Sequence, residues 1–435
     1  MAHLLIATAP GDGHVNPLLP VARELVRRGH EVRWYTGSVY ADRVKRTGAV
    51  HVPMTDAYDY GGMTRAQAFP HHVGRTGIDG MMTGFRDVFL ATAPAQLRDL
   101  TRIVDRFPVD AVVSDETCFA AGFLRERTGV PLVWVATSIY ILASRDTAPL
   151  GLGLRPDGTR PGRIRNRALR WIADSVVLRR LRRDGVALRA ELGLAPLPGG
   201  AFTNVVRPPD LYLLGTVPGF EYPRSDLLDS VRFVGALQDP PPETDRPAWW
   251  DDLRGGRPVV HVTQGTVADD LERLVLPCLR ALAELNVLIV VTTGTPPEQL
   301  DLGLLPPNVR VERFIPHANL LPHVDLMVTN GGYGGVSAAL AHGVPLVVAA
   351  ATEEKHEVAA HVEWAGSGLH VRPHENLVDG LRRAVERVLD EPAFRERAAA
   401  LRAEYRSYPG APLVADHIEE LVRSSGGGRN SAVVP

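Results

Sequence analysis

Short apolar runs alternate with helical stretches twice along this chain, and that alternation allows little besides parallel sheets covered by helices on both faces. The first series reads HLLIATA (3–9), a glycine-rich loop PGDGHV (10–15), a helix NPLLPVARELVRRG (16–29) and a strand EVRWYT (31–36). Asn16 suits the N-cap of that helix, Pro17 its first turn and Gly29 its C′ position. The pattern returns at DAVVSD (110–115), in a helical stretch to about Thr128, and at PLVWVAT (131–137). A proline-rich stretch, QDPPPETDRPAWW (238–250), precedes the second series: PVVHVTQ (258–264), NVLIVVTT (286–293), VRVERF (309–314), DLMVTN (325–330) and PLVVAA (345–350). At 435 residues the chain exceeds one ordinary core. The expectation is an α/β protein of two doubly wound, Rossmann-like halves: residues 1–215, a linker 216–250, residues 251–408, a final amphipathic helix 409–425, and a disordered tail 426–435.

Hydrophobic content of 45% with 23% charge is that of a globular protein, and a formal charge of −2 gives no reason to expect nucleic acid or an anionic membrane as partner. Cys118 and Cys278 lie too far apart for a redox or metal motif. The start carries no basic segment and cleavage site, and no apolar stretch approaches the roughly 20 residues of a transmembrane span, so a cytoplasmic location is expected. The basic residues are almost all arginine, with Lys45 and Lys355 the two lysines.

Three places suggest chemistry. GDGHVNP (11–17) sets His14 at the carboxyl end of the first strand, where open α/β sheets bind ligands and where an imidazole can take a proton. The same loop could instead cradle a phosphate, or His14 could merely cap the turn; Asn16 breaks the dinucleotide pattern by standing where a third glycine belongs. Asp115 ends another strand, so it either orients His14 or caps the helix after it. In TNGGYGG (329–335) four glycines follow a strand and open a helix, which suits a diphosphate, although helix-on-strand packing also favours glycine. QGT (264–266) offers a second such turn. Residues 54–85 hold four of the six methionines, and 138–175 are rich in Gly, Pro and Arg. Both stretches read equally as ordinary surface loops or as walls of an apolar acceptor pocket, with Met63, Phe69, Met81, Phe85 and Ser138 as its candidates.

GHVNP near the start and FIPHANLLPHVDLMVTNGGYGGVSAALAHGVP in the second half resemble the inverting glycosyltransferases of family 1, which have the GT-B fold, and most of all the actinomycete antibiotic enzymes. The resemblance implies an inter-domain cleft and a final helix that crosses back to the first half from about Pro412. It implies His14 as base and Asp115 as its support. It places Phe314 on the nucleobase, Ile315 at the base edge and His317 in the same stretch. Gly265, Thr266, Gly332, Tyr333, Gly334 and Gly335 would surround the diphosphate, with Glu354 and Lys355 at the donor sugar. Three positions depart from the family pattern: Asn330 replaces a phosphate-binding histidine, Lys355 a glutamine, and Ala338 a glutamate that holds ribose hydroxyls, an absence that would suit a thymidine diphosphate donor.

The expected reaction is a metal-independent, inverting transfer from a dTDP- or UDP-sugar to an apolar small-molecule acceptor, such as a polyketide or aromatic natural product, by a monomer or homodimer. The nucleotide sugar is a co-substrate, no cofactor is expected, and the chain has no Asp-x-Asp pair for a metal ion. Two other readings are a nucleotide-sugar 2-epimerase and a non-catalytic sugar-nucleotide-binding partner of another transferase; the His14–Asp115 placement argues against both.

Overall fold

The computed structural model describes the chain except for residues 76, 242, 244, 266–269, 351–352, 373–375 and 430–435; at 353–354 and 426–429 it describes backbone only. Thr266 and the side chain of Glu354 therefore lie outside the described residues, as does the end of the tail.

Two parallel sheets carry the fold. The first holds β1 (His3–Ala7), β2 (Glu31–Thr36), β3 (Val50–Pro53), β4 (Ala111–Ser114), β5 (Leu132–Val135), β6 (Leu211–Leu214) and β7 (Val231–Phe233), in the order β3-β2-β1-β4-β5-β6-β7. The second holds β8 (Val259–Thr263), β9 (Leu288–Thr292), β10 (Val309–Glu312), β11 (Leu326–Thr329), β12 (Leu346–Val348) and β13 (Gly368–His370), in the order β10-β9-β8-β11-β12-β13. Central strands such as AVVS in β4 and LIVVT in β9 are buried along their whole length, as a sheet covered on both faces requires. The two faces of each sheet form separate apolar clusters. Val231–Phe233 extends the first sheet, so the stretch 216–250 is not simply a linker: it contributes an edge strand.

The first helix begins a turn earlier than the sequence suggests. Gly11 is its extended N-cap, Asp12–Val15 form one α-helical turn, Asn16–Leu18 a 3-10 turn, and Leu19–Arg27 the regular helix. Pro20 has no N–H to give the Asn16 carbonyl, which the Leu19 N–H takes instead, and this tightens the turn. His14 thus sits inside the opening turn.

The last helix, Ala411–Arg429, returns to the first half and runs through residues 426–429 of the stretch read as tail. Its Val414, Ala415 and Ile418 pack against Leu18, Val21, Ala22 and Leu25, and Arg28 reaches Asp416 at 2.6 Å. The crossing depends on close backbone approach: the Gly410 N–H donates to the Val234 carbonyl at 2.7 Å, and a Cβ on Gly235 would fall 2.0 Å from the Tyr408 carbonyl oxygen.

Contacts between the halves come from the carboxyl ends of both sheets, which therefore face each other. Glu357, on the helix Glu353–Trp364 after β12, accepts the N–H groups of Gly151 (2.9 Å) and Gly153 (3.0 Å) from the loop after β5. His361 on the same helix meets Glu221 at 3.0 Å, and the Ser337 hydroxyl donates to the Gly215 carbonyl at 2.9 Å. Among the described residues no helix is long and apolar enough to cross a membrane.

Candidate active site

Strand order reverses between β1 and β4, so their carboxyl ends open a crevice of the kind that binds ligands in such sheets. Ala7 pairs with Ser114, which sets the loop after β1 beside Asp115. Asp115 is fully buried. Its Oδ2 accepts the Ala9 N–H at 3.2 Å; its Oδ1 accepts the Thr117 N–H at 2.9 Å and the Thr117 hydroxyl, and meets His14 Nδ1 at 3.2 Å. Burial alone would raise the Asp115 carboxyl, but the His14 ring and the Thr117 donors hold it below its ordinary value. Asp115 does not cap the helix Phe119–Thr128, whose N-cap is Cys118; it ties the turn before that helix and meets His14. With Nδ1–H donated to the carboxylate, His14 Nε2 is left as the basic nitrogen.

An aromatic chain leads away from this pair. The His14 ring meets Phe89 edge-on at 5.8 Å; Phe89 lies 5.5 Å from Phe85, which lies 5.6 Å from Phe119 and 4.5 Å from Phe202. Phe85, Phe119, Phe202, Trp134 and Tyr140 wall a cavity of about 220 Å³ that also exposes Glu116 and Thr117. Of the acceptor-pocket candidates only Phe85 lines it. Phe69 packs instead on Tyr58, Tyr60 and His72. Met63 is 45% exposed and its sulfur accepts the Tyr58 hydroxyl, Met81 is half-buried outside the cavity, and Ser138 is buried away from it. The methionines of 54–85 do not reach the cavity, but Phe85 at the end of that stretch does, and Tyr140 to Ala143 bring in the start of the stretch 138–175; the other walls follow β4, lie in β5 and flank β6. Nothing in the local sequence of 202–208 marks it as a wall; Glu116, adjoining Asp115 at a strand end, did carry a positional signal.

In the second half the order reverses between β8 and β11, and Thr263 pairs with Thr329. Gln264 and Asn330 are therefore neighbours. The Asn330 amide donates to the Gln264 carbonyl and accepts the Gly332 N–H at 3.3 Å, so it ties the two loops together. Gly331 has φ +86°, and a Cβ there would lie 3.0 Å from Val348 and 3.2 Å from the Lys355 carbonyl oxygen, which closes the glycine loop against the helix that carries Lys355. Gly332 caps the helix Tyr333–His342. Gly334 has no heavy atom within 4 Å of its Cβ direction, so this side of the loop is open, while Gly335 faces His317 at 3.7 Å. Gly265, at φ +84°, stands on the opposite loop.

Phe314 is 65% exposed and presents its ring, whereas Ile315 beside it is buried. His317 is driven down to about 4 by burial and stays neutral near pH 7. Tyr333 departs from expectation: its ring is buried in the apolar cluster between the halves, where it packs rather than lining the loop.

One group of side chains among the described residues has metal-ligand proximity: His71, His72 and Asp87. Asp87 Oδ2 accepts from His71 at 2.6 Å and from His72 at 2.9 Å, while Arg65 donates to the other His72 nitrogen at 3.2 Å and Arg86 to the other Asp87 oxygen at 2.7 Å. Arg86 already pairs with the one carboxylate of this cluster and Arg65 occupies a nitrogen of His72, so the cluster ties the segment 65–72 to the turn 86–90.

Known proteins share both the sequence and the geometry. Residues 277–421 match the family described as erythromycin biosynthesis protein CIII-like, C-terminal domain. The chain is 60% identical over 422 residues to 4'-demethylrebeccamycin synthase of Lentzea aerocolonigenes, covering 97% of this chain and 100% of that protein. It is 28% identical to the oleandomycin glycosyltransferase of Streptomyces antibioticus, over 96% of this chain and 90% of that one. The crystal structure of the calicheamicin glycosyltransferase superposes with a TM-score of 0.73 at 26% identity, covering 100% of both chains. That of the glycosyltransferase VinC in complex with dTDP shares the fold, with a TM-score of 0.66 at 21% identity over 98% and 99% of the two chains. Two Rossmann-like halves with carboxyl ends opposed, a relative this similar along its whole length, and a matching C-terminal domain show that the chain belongs to the GT-B glycosyltransferases, among the actinomycete antibiotic enzymes.

Proposed function

We propose that this glycosyltransferase moves a hexosyl or deoxyhexosyl group from a dTDP- or UDP-sugar to a hydroxyl of an apolar natural product, with inversion and without a metal ion. The observation that carries the reading is the His14–Asp115 pair at 3.2 Å beside an aromatic cavity. His14 Nε2 takes the acceptor proton while the acceptor oxygen forms its bond to the anomeric carbon, a contribution of about 10²–10⁴ in rate. The anomeric carbon–phosphate oxygen bond breaks in the same step, and the sugar inverts. Asp115 stabilises the imidazolium that results.

The departing diphosphate lies at the N–H groups of the glycine loop and the start of the helix Tyr333–His342, whose dipole favours negative charge. The open side at Gly334 suits this, and exposed Phe314 suits a stacked base. Asn330 serves by binding the two loops into one cradle. Ala338 offers no partner for a ribose 2′-hydroxyl, which favours a thymidine donor; the dTDP held by VinC agrees with that preference. Gly265, Gly332, Gly335 and Lys355 complete the donor side.

The test is His14→Ala. Transfer should collapse while calorimetric binding of dTDP, with or without magnesium, persists; unchanged transfer would sink the mechanism.

A further inference from the structure

Next to Asp115 stands a second carboxyl that the transfer step leaves unused. Glu116 is 2% exposed and opens onto the aromatic cavity. Besides its own backbone N–H, the donor that reaches it among the described residues is Thr137, whose N–H lies at 3.0 and 3.2 Å from the two oxygens and whose hydroxyl lies at 3.4 Å. The cavity's other carboxylate, Asp226, is differently placed: it accepts the Arg145 N–H at 2.8 Å and the Ser144 hydroxyl. Burial, and then the charge of Asp115, push Glu116 up to about 7. A buried carboxyl with spare lone pairs, and with no ion pair among the described residues, is costly in an apolar chamber. Its retention there makes sense where a ligand supplies the missing donor.

We propose that Glu116 anchors the acceptor by taking a hydrogen bond from an N–H or O–H group on it other than the hydroxyl that receives the sugar. This rests on the cavity being the acceptor site. The arrangement is directional: Thr117, one residue on, lines the cavity and lies 3.3 Å from His14 Nδ1, and Phe85 on another wall leads to the His14 ring through Phe89. A flat molecule that meets Glu116 at one edge therefore lies with another edge toward His14. The acceptor class is then an aromatic compound with at least two polar hydrogens, one consumed and one held. Glu116 is in these terms a specificity-determining residue, since its contribution is made before transfer as much as during it.

A pair of probes separates the possibilities: 2-naphthol, which has a donor O–H, and 2-methoxynaphthalene, which has the same rings and none. Their dissociation constants are measured by calorimetry without nucleotide on the wild type, Glu116→Gln and Phe85→Ala. The wild type should prefer 2-naphthol about tenfold or more, as a hydrogen bond to a buried carboxyl is worth. Glu116→Gln, whose amide oxygen can keep the Thr137 N–H while its NH₂ faces the cavity, should lose that preference. Phe85→Ala should weaken both probes and keep the preference. An equal preference in wild type and Glu116→Gln overturns the anchoring role and leaves the cavity reading intact. So does equal weakening of both probes in Glu116→Gln, since that marks a role in cavity shape alone. Failure of the wild type to bind either probe, or indifference of both probes to Phe85→Ala, overturns the cavity reading and the proposal with it.

Discussion

Asp115 and Glu116 are consecutive carboxyls, both buried, and their surroundings move them in opposite directions. Asp115 has the His14 ring and Thr117 as partners and stays ionised; Glu116 faces aromatic rings and the Asp115 charge. Replacing Asp115 by Asn keeps the shape but removes the charge that fixes the His14 tautomer. The rate should fall by about 10²–10⁴, with nucleotide affinity changed less than about twofold; single-turnover kinetics and calorimetry check both halves. For Glu116 the linkage has a definite sign. Its folded value of about 7 lies above the ordinary 4.5, so between those values the folded protein holds a proton that the unfolded chain has lost. Stability therefore declines as pH rises through that window and is level above it. Thermal melts of wild type and Glu116→Gln should converge near pH 4 and separate by pH 8, the variant then being the more stable.

At the scale of elements, the glycine loop shows how backbone geometry shapes the proposed donor cradle. Gly331 combines φ +86° with contacts that leave its Cβ no room at Val348 and Lys355. Gly331→Ala should cost about 1–3 kcal/mol and weaken dTDP binding, read as a lower Tm and a higher Kd. Gly334→Ala, at a helical position with no neighbour, should keep or slightly raise Tm. What could be read in advance follows the same physics. β1, β4, β8 and β11 are mostly apolar, with a polar residue at or just after each carboxyl end and His261 alone inside β8, so both switch points and their loops are legible. Of the four edge strands, β10 has a readable alternation, whereas β3, β7 and β13 are short and partly polar, as in VHVP, VRF and GLH, and carry little pattern. β6, LYLL, is an apolar run too short to tell from a helix turn. The cavity was legible in part: the two irregular stretches supply Phe85 and Tyr140 to Ala143, whereas Met63 and Met81 lie outside it and Phe202 joins the wall only through tertiary packing.

At the scale of the molecule, the two halves are held by a buried polar network at the hinge. Glu221 is 2% exposed and its carboxylate takes His361 at 3.0 Å, Arg224 at 2.8 Å and the Tyr140 N–H at 3.1 Å. The Tyr222 ring stacks on His361 at 3.5 Å. Through Tyr140 this network touches the wall of the aromatic cavity, and through His361 it touches the helix that carries Lys355. Any change in the angle between the halves must therefore reposition the proposed acceptor cavity against the proposed donor loop. Burial opposes the charge on Glu221, but His361 and then Arg224 outweigh it and bring the carboxyl down to about 2. A folded value below the ordinary 4.5 gives stability that is complete above 4.5 and lost as pH falls toward 2. Removing one partner of such a network leaves the others buried and unpaired, at a cost of about 3–5 kcal/mol. Glu221→Ala should therefore lower Tm near pH 7 by that equivalent, and its penalty should shrink as the pH is lowered through 4 to 3. Because the network joins these two proposed surfaces, the same variant should also raise the KM of both donor and acceptor in steady-state kinetics. A loss of Tm with both KM values unchanged would mean that the hinge stabilises the halves without setting their relation.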